Sequence, residues 1–203
     1  MSKCVYISAD YDDSNGDRIV VNELNKWGRD YLHKVDFIDM SEVRSGSVSL
    51  RDDCRICDLK SEFNRQINAS SAVIFVVGDK TKRRTAGSAC ERNTKKQDQC
   101  FCTPYKQNTN GTKACKVSST FTPGENDDYG SINTCSYLQH EFEQAKKKKK
   151  SIIIVYNSTR YEQEWLPVYM NGYEVLAKPF WIINSTGEKF GDYSYIKKEL
   201  GFD

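Results

Sequence analysis

Two short runs constrain the fold of this chain more than anything else in it: Ala72 to Gly78 (AVIFVVG) and Ser151 to Tyr156 (SIIIVY). Each is almost wholly apolar and rich in β-branched residues, so it has no polar face to turn to water. A strand of that kind needs cover on both sides, which a parallel sheet gets from helices above and below. The flanking segments supply them. Cys4 to Ser8 reads as another buried strand, running into Asp10, Asp12 and Asp13. Val20, Leu24, Trp27 and Tyr31 recur at helical spacing behind Ser14-Asn15-Gly16-Asp17, and Ile56, Leu59, Phe63 and Ile67 do so before the central strand. Val35 to Met40 reads as a second strand, and Leu138, Phe142 and Ala145 form a helical stripe that runs out into Lys146 to Lys150. An apolar segment from Lys178 to Ile183 and a helix from Asp192 to Leu200 complete the series. This alternation predicts a doubly wound, flavodoxin-like α/β domain with helices on both faces of a parallel sheet. A length of 203 residues gives room for a single such domain, 1–203, with one sizeable insertion.

The insertion announces itself after Arg84. Residues 85–134 show little periodicity, are rich in Lys, Asn, Thr and Gly, and carry Cys90, Cys100, Cys102 and Cys115. A loop that long without its own apolar core needs another source of order. Four thiolates around a structural zinc ion are one reading, disulfides a second and unlinked thiols a third; the spacings match no common zinc ribbon. Cys54 and Cys57 have the separation of a metal knuckle but lie one turn apart on a helical pattern, which suits packed thiols as well. His33 and His140 are the only histidines, and neither has an evident partner for activating a nucleophilic cysteine.

Charge excludes other classes. Thirty basic and twenty-eight acidic residues give a formal +2, so no global field calls for nucleic acid. The lysine run suits the dipole at a helix end and reads as a solvated exit. No apolar stretch approaches the roughly 18 residues of a membrane span, and no signal peptide is visible, so a cytoplasmic protein with reduced cysteines is expected.

Three motifs carry a resemblance. Val5-Tyr6-Ile7-Ser8 with its acidic sequel, Ile67 to Gly78 (INASSAVIFVVG), and Tyr137-Leu138-Gln139-His140-Glu141 followed by Ala145 and the strand from Ser151 occur in that order. Together they resemble the opening strand, the middle strand and the W-x-x-x-E helix of Toll/interleukin-1 receptor (TIR) domains. Among these the chain is most similar to the TIR-like proteins of the bacterial Thoeris anti-phage system and their relatives. The resemblance covers roughly residues 3–84 and 136–156. Tyr137 stands where the family usually has Trp, and the insertion falls where most members have a short loop.

The resemblance implies an enzyme that cleaves NAD and hydrolyses it or turns its ADP-ribose part into a nucleotide signal. Glu141 would be the catalytic carboxylate beside the nicotinamide ribose. Ser8, Ala9 and Asp10 would form a pocket wall, Arg44 would lie in a loop meeting the adenine side or a neighbouring subunit, and Tyr137 would flank the ribose. Self-association on activation and a separate effector protein would follow. Nicotinamide is a good leaving group, so such a site needs positioning and one negative charge rather than a nucleophile or a metal. Other readings stand beside these. Glu141 can be an ordinary helix glutamate, Asp10 a turn or capping carboxylate, and Arg44 a solvated loop residue. The whole domain can be a non-enzymatic interaction module, while a flavin carrier lacks a phosphate loop after its first strand.

Overall fold

The structure is a computed structural model and describes residues 3–10, 16–29, 35–39, 62–84 and 136–202. Its centre is a five-stranded sheet, parallel throughout, with strands β1 (Lys3–Ser8), β2 (Val35–Ile38), β3 (Ala72–Val77), β4 (Ser151–Tyr156) and β5 (Ala177–Pro179) in the order β2-β1-β3-β4-β5. The two apolar runs are neighbours at its middle, with Ile74 opposite Ile153 and Phe75 opposite Ile154. Ile74, Phe75, Val76, Ile153 and Ile154 are all buried, as runs without a polar face require.

Alternation along each strand divides the side chains between two faces. On one face Val5, Ile7, Ile74, Val76, Ile153 and Val155 form a core with Val20, Val21 and Leu24 of helix α1 (Asp17–Gly28) and with Ile196 and Leu200 at helix α4 (Tyr193–Glu199). On the other face helix α3 (Tyr137–Lys147) brings Phe142 edge-on to Phe75, with ring centroids 5.3 Å apart. Helix α2, residues 62–69, buries Phe63 and Ile67, and Gln144 of α3 donates to Asn68 at its end. The architecture is therefore α/β, with helices against both faces of the parallel sheet.

The described residues fall into two compact units. One comprises 3–10, 16–29, 35–39, 66–84 and 141–202 and holds the sheet; the other comprises 62–65 and 136–140. Within the second, Phe63 meets Tyr137 edge-on and His140 Nε2 lies 3.0 Å from Asn64 Oδ1.

Two stretches depart from expectation. The apolar segment 178–183 is not one element: Lys178 and Pro179 end β5, and Trp181–Ile183 forms β6, which turns back as an antiparallel hairpin with β7 (Lys189–Gly191). Pro179, which has no N–H, is accommodated because β5 is an edge strand, and the Asn184 carboxamide accepts the Thr186 and Glu188 N–H groups to set the reversal. The lysine run is also not wholly a solvated exit. Lys149 turns through a left-handed φ of 52°, and Lys150 Nζ donates to the Asn68 and Ser70 carbonyls at 2.9 and 2.5 Å. The expected insertion 85–134, with Cys90, Cys100, Cys102 and Cys115, lies outside the described residues, as do Cys54, Cys57, Cys135 and Arg44.

Candidate functional site

Tyr6 and Ser8 are two residues apart on β1, so both point to the α3 face. Opposite them stands Glu141, one turn beyond Tyr137 on α3 and next to the buried Phe142 and Ala145. The Tyr6 hydroxyl donates to Glu141 Oε1 at 2.5 Å, and the Ser8 hydroxyl donates to Oε2. Glu141, Tyr6 and Ser8 are each fully buried. Burial pushes the Glu141 carboxyl up to about 7, outweighing the two hydroxyl donors that favour its charged form. A carboxyl so placed is available as acid or base near neutrality.

Ser8 ends β1, beside β3 in the register that pairs it with Phe75. The Glu141 group therefore sits toward the carboxyl edge of the sheet, where open α/β sheets bind ligands. Of the other residues singled out in the sequence, Ala9 follows Ser8 and is buried, and Asp10 is ion-paired to Arg84, whose Nε is 2.5 Å from Oδ2. Tyr137 packs edge-on against Phe63, with centroids 5.6 Å apart. Ser8 and Glu141 are thus brought into direct contact. Among the described residues no group of three or more His, Cys, Asp or Glu is arranged to hold a metal ion, and Cys4 is a free thiol 3.6 Å from Ser70 Oγ.

A second carboxyl was not foreseen. Asp17 opens α1 on the opposite face of the sheet and is fully buried. Its Oδ1 accepts from Asn157 Nδ2 at 3.0 Å, and Asn157 Oδ1 in turn accepts from Trp181 Nε1 at 2.9 Å. Gly16 enters the helix at φ 73°, a backbone state that suits glycine, with Asn157 Nδ2 3.2 Å from where a Cβ would lie. At Gly78, just past β3, a Cβ would lie 2.8 Å from Asp17 Oδ2 and 2.9 Å from its Cγ, so only glycine leaves room. Burial first, then the charges of Asp10 and Asp79, push Asp17 up to about 7 against the opposing effects of the Asn157 bond and Arg84. A signal for it did exist: Asp17, Gly78 and Asn157 each open a helix or directly follow a strand, where a parallel sheet gathers its polar groups.

Compared with protein-family models, with curated proteins and with solved structures, the chain has no match in any of the three.

Proposed function

We propose that this chain is a flavodoxin-like α/β domain of TIR type that cleaves NAD, with Glu141 as the carboxylate at the nicotinamide ribose. The observation that carries the reading is the buried Glu141 carboxyl held by Tyr6 and Ser8 at the end of β1. The strand order β2-β1-β3-β4-β5 supports it, being the flavodoxin-like doubly wound order, whose ligands sit at the β1/β3 switch point. The motif order shared with TIR domains supports it from the sequence side.

The chemistry follows from one charge. The N-glycosidic bond breaks with its electron pair passing to the pyridinium nitrogen, and the ribose becomes oxocarbenium-like at C1′. Ionised Glu141 stabilises that cation, and water or a nucleophile of the ADP-ribose part attacks C1′ and loses a proton. Two hydroxyl donors now satisfy the carboxylate; the diol of a ribose offers the same donor pair and can replace them without leaving the charge bare. Because the carboxyl must be ionised, turnover should rise with pH through about 7. Ser8, Ala9 and Asp10 form one wall in this reading, Tyr137 flanks the ribose, and Arg44 contacts the adenine side or a neighbouring subunit. The product would act as a nucleotide signal on a separate effector in anti-phage defence, with self-association accompanying activation.

The test is incubation of the purified, assembled protein with NAD and chromatography of the products. Glu141→Gln keeps the shape and removes the charge, so turnover should fall on the order of a hundredfold with the fold retained. Unchanged turnover in that variant removes Glu141 from catalysis. For the insertion, metal analysis separates the readings of its cysteines: zinc predicts about one equivalent per chain and a protease-sensitive Cys100→Ser variant.

The complete burial of Glu141 favours a second reading, an interaction module in which this carboxyl serves packing alone. Absence of NAD loss from protein shown to be self-associated would select it.

A further inference from the structure

We propose that a cleft off the carboxyl ends of β4 and β5 binds a small anion carrying a planar aromatic ring, of the nucleoside or aryl monophosphate class. The cleft has a volume of about 560 Å³, and its walls include Arg160, Tyr161, Lys178, Trp181, Ile182 and Tyr195. All six belong to the unit that holds the sheet, and Glu141 is not among the cleft's residues, so the inference does not rest on the NAD reading. Three observations converge on the class of ligand.

The first is place and size. Residues 159–161 come three residues past the end of β4, and Lys178 and Pro179 end β5, so the cleft opens on the edge of the sheet where α/β domains take ligands. Its volume lies within the range of small-molecule sites, room for a ring, a sugar and one phosphate but not for a polymer. The second is charge. Arg160 and Lys178 both line the cleft, and among the described residues neither is ion-paired. The one carboxylate in the lining, Asp192, is engaged at Oδ1 by the Tyr195 N–H at 3.0 Å. A guanidinium fork and an ammonium lining one cleft suit a phosphate better than a single carboxylate, because together they can meet several oxygens.

The third is aromatic surface. Tyr161 is 59% exposed, and Lys178 Nζ lies 5.3 Å from its ring centroid. Tyr195 also lines the cleft, and its hydroxyl donates to the Leu176 carbonyl at 3.0 Å. An exposed ring with a cation already beside it can stack a second ring while the cation meets that ligand's anionic group. Isolated exposed tyrosines are common; one with a lysine over its ring, in a cleft of this size that Arg160 also lines, makes a site.

The test is calorimetric titration of the full chain with adenosine 5′-monophosphate, with adenosine and inorganic phosphate titrated separately. The monophosphate should bind below about 1 mM, each half-ligand at least about tenfold more weakly. The Arg160→Ala/Lys178→Ala double variant should lose about tenfold or more in affinity, and Tyr161→Ala several-fold. These side chains are exposed or half-buried, so thermal midpoints should stay within a few degrees and report an intact fold. No binding of the monophosphate at several millimolar, binding no tighter than inorganic phosphate, or undiminished binding by the folded double variant would each overturn the proposal.

Discussion

Glu141 and Asp17 are buried carboxyls on opposite faces of one sheet, and both are pushed up to about 7, yet different surroundings hold them there. Glu141 is satisfied by two neutral hydroxyls from a single strand, and burial is all that raises it. Asp17 is pinned by an amide that is itself pinned by Trp181, and neighbouring charges act on it in both directions. Hydroxyl donors can be exchanged for those of a ligand; a chain of indole, amide and carboxyl fixes the start of α1 against the ends of β3 and β4. In the NAD reading proposed above, the first group is placed for exchange and the second for anchorage.

Turnover breaks or sharpens that contrast most strongly. Set against the hundredfold loss expected for Glu141→Gln, Asp17→Asn should change NAD turnover by less than about threefold, because it keeps the shape of the anchor. Equal losses in the two variants would mean that the contrast is wrong and that both carboxyls act on the substrate.

The next largest effect is on stability against pH. Both groups bind a proton more tightly in the folded chain than at their ordinary values of 4.5 and 3.8. Their contribution is complete below those ordinary values and is lost as pH rises through about 7, a decline on the order of 3–4 kcal/mol for each. Denaturant unfolding at pH 5 and pH 8 should show the wild-type protein weaker at the higher pH. Glu141→Gln should remove one part of the decline and Asp17→Asn the other. A variant that keeps the whole decline would show its carboxyl already ionised at neutrality.

The same contrast explains what the sequence disclosed. Strands β1, β3 and β4 were legible because consecutive apolar residues admit no other environment, and Glu141 was legible because Tyr137 and Ala145 set it in a motif. Asp17 sits at the end of an acidic stretch, and its place at the start of a helix marks it only as one more first-turn carboxylate. Its burial depends on Gly78 and Asn157, distant in the chain and joined to it only by the strand order. β5 and the β6–β7 hairpin escaped for a related reason: strands of three residues are too short to show a period, and Gly191 and Phe190 look like loop residues until Trp181 and Ile182 pair with them.

Gly78 gives a smaller, local test. Gly78→Ala would drive a methyl group into the Asp17 carboxyl and should cost about 1–2 kcal/mol of stability. In an Asp17→Ala background that cost should largely vanish, since the clashing atoms are gone and the two sites are directly coupled. A cost that persists undiminished would assign the strain to the backbone rather than to the carboxyl.

The finest test asks whether the anchor behaves as a chain. Trp181→Phe keeps an aromatic ring against Phe180, 4.7 Å away, but removes the N–H that Asn157 Oδ1 accepts. The smaller ring also alters packing, so overall stability is a poor readout of the hydrogen bond. The titration of Asp17 is a better one. Asn157 lowers that titration through its Nδ2 donor, and an amide released at its oxygen holds the donor less firmly. Asp17 should then protonate at a higher pH, followed through its side-chain carbon signal by NMR. Glu141, bonded to Tyr6 and Ser8 on the other face, should not move. If both carboxyls shift together, Trp181 acts through the sheet as a whole. If neither shifts, Asn157 is held by its backbone alone, where its N–H donates to the Val77 carbonyl at 2.9 Å, and the indole adds nothing to the anchor.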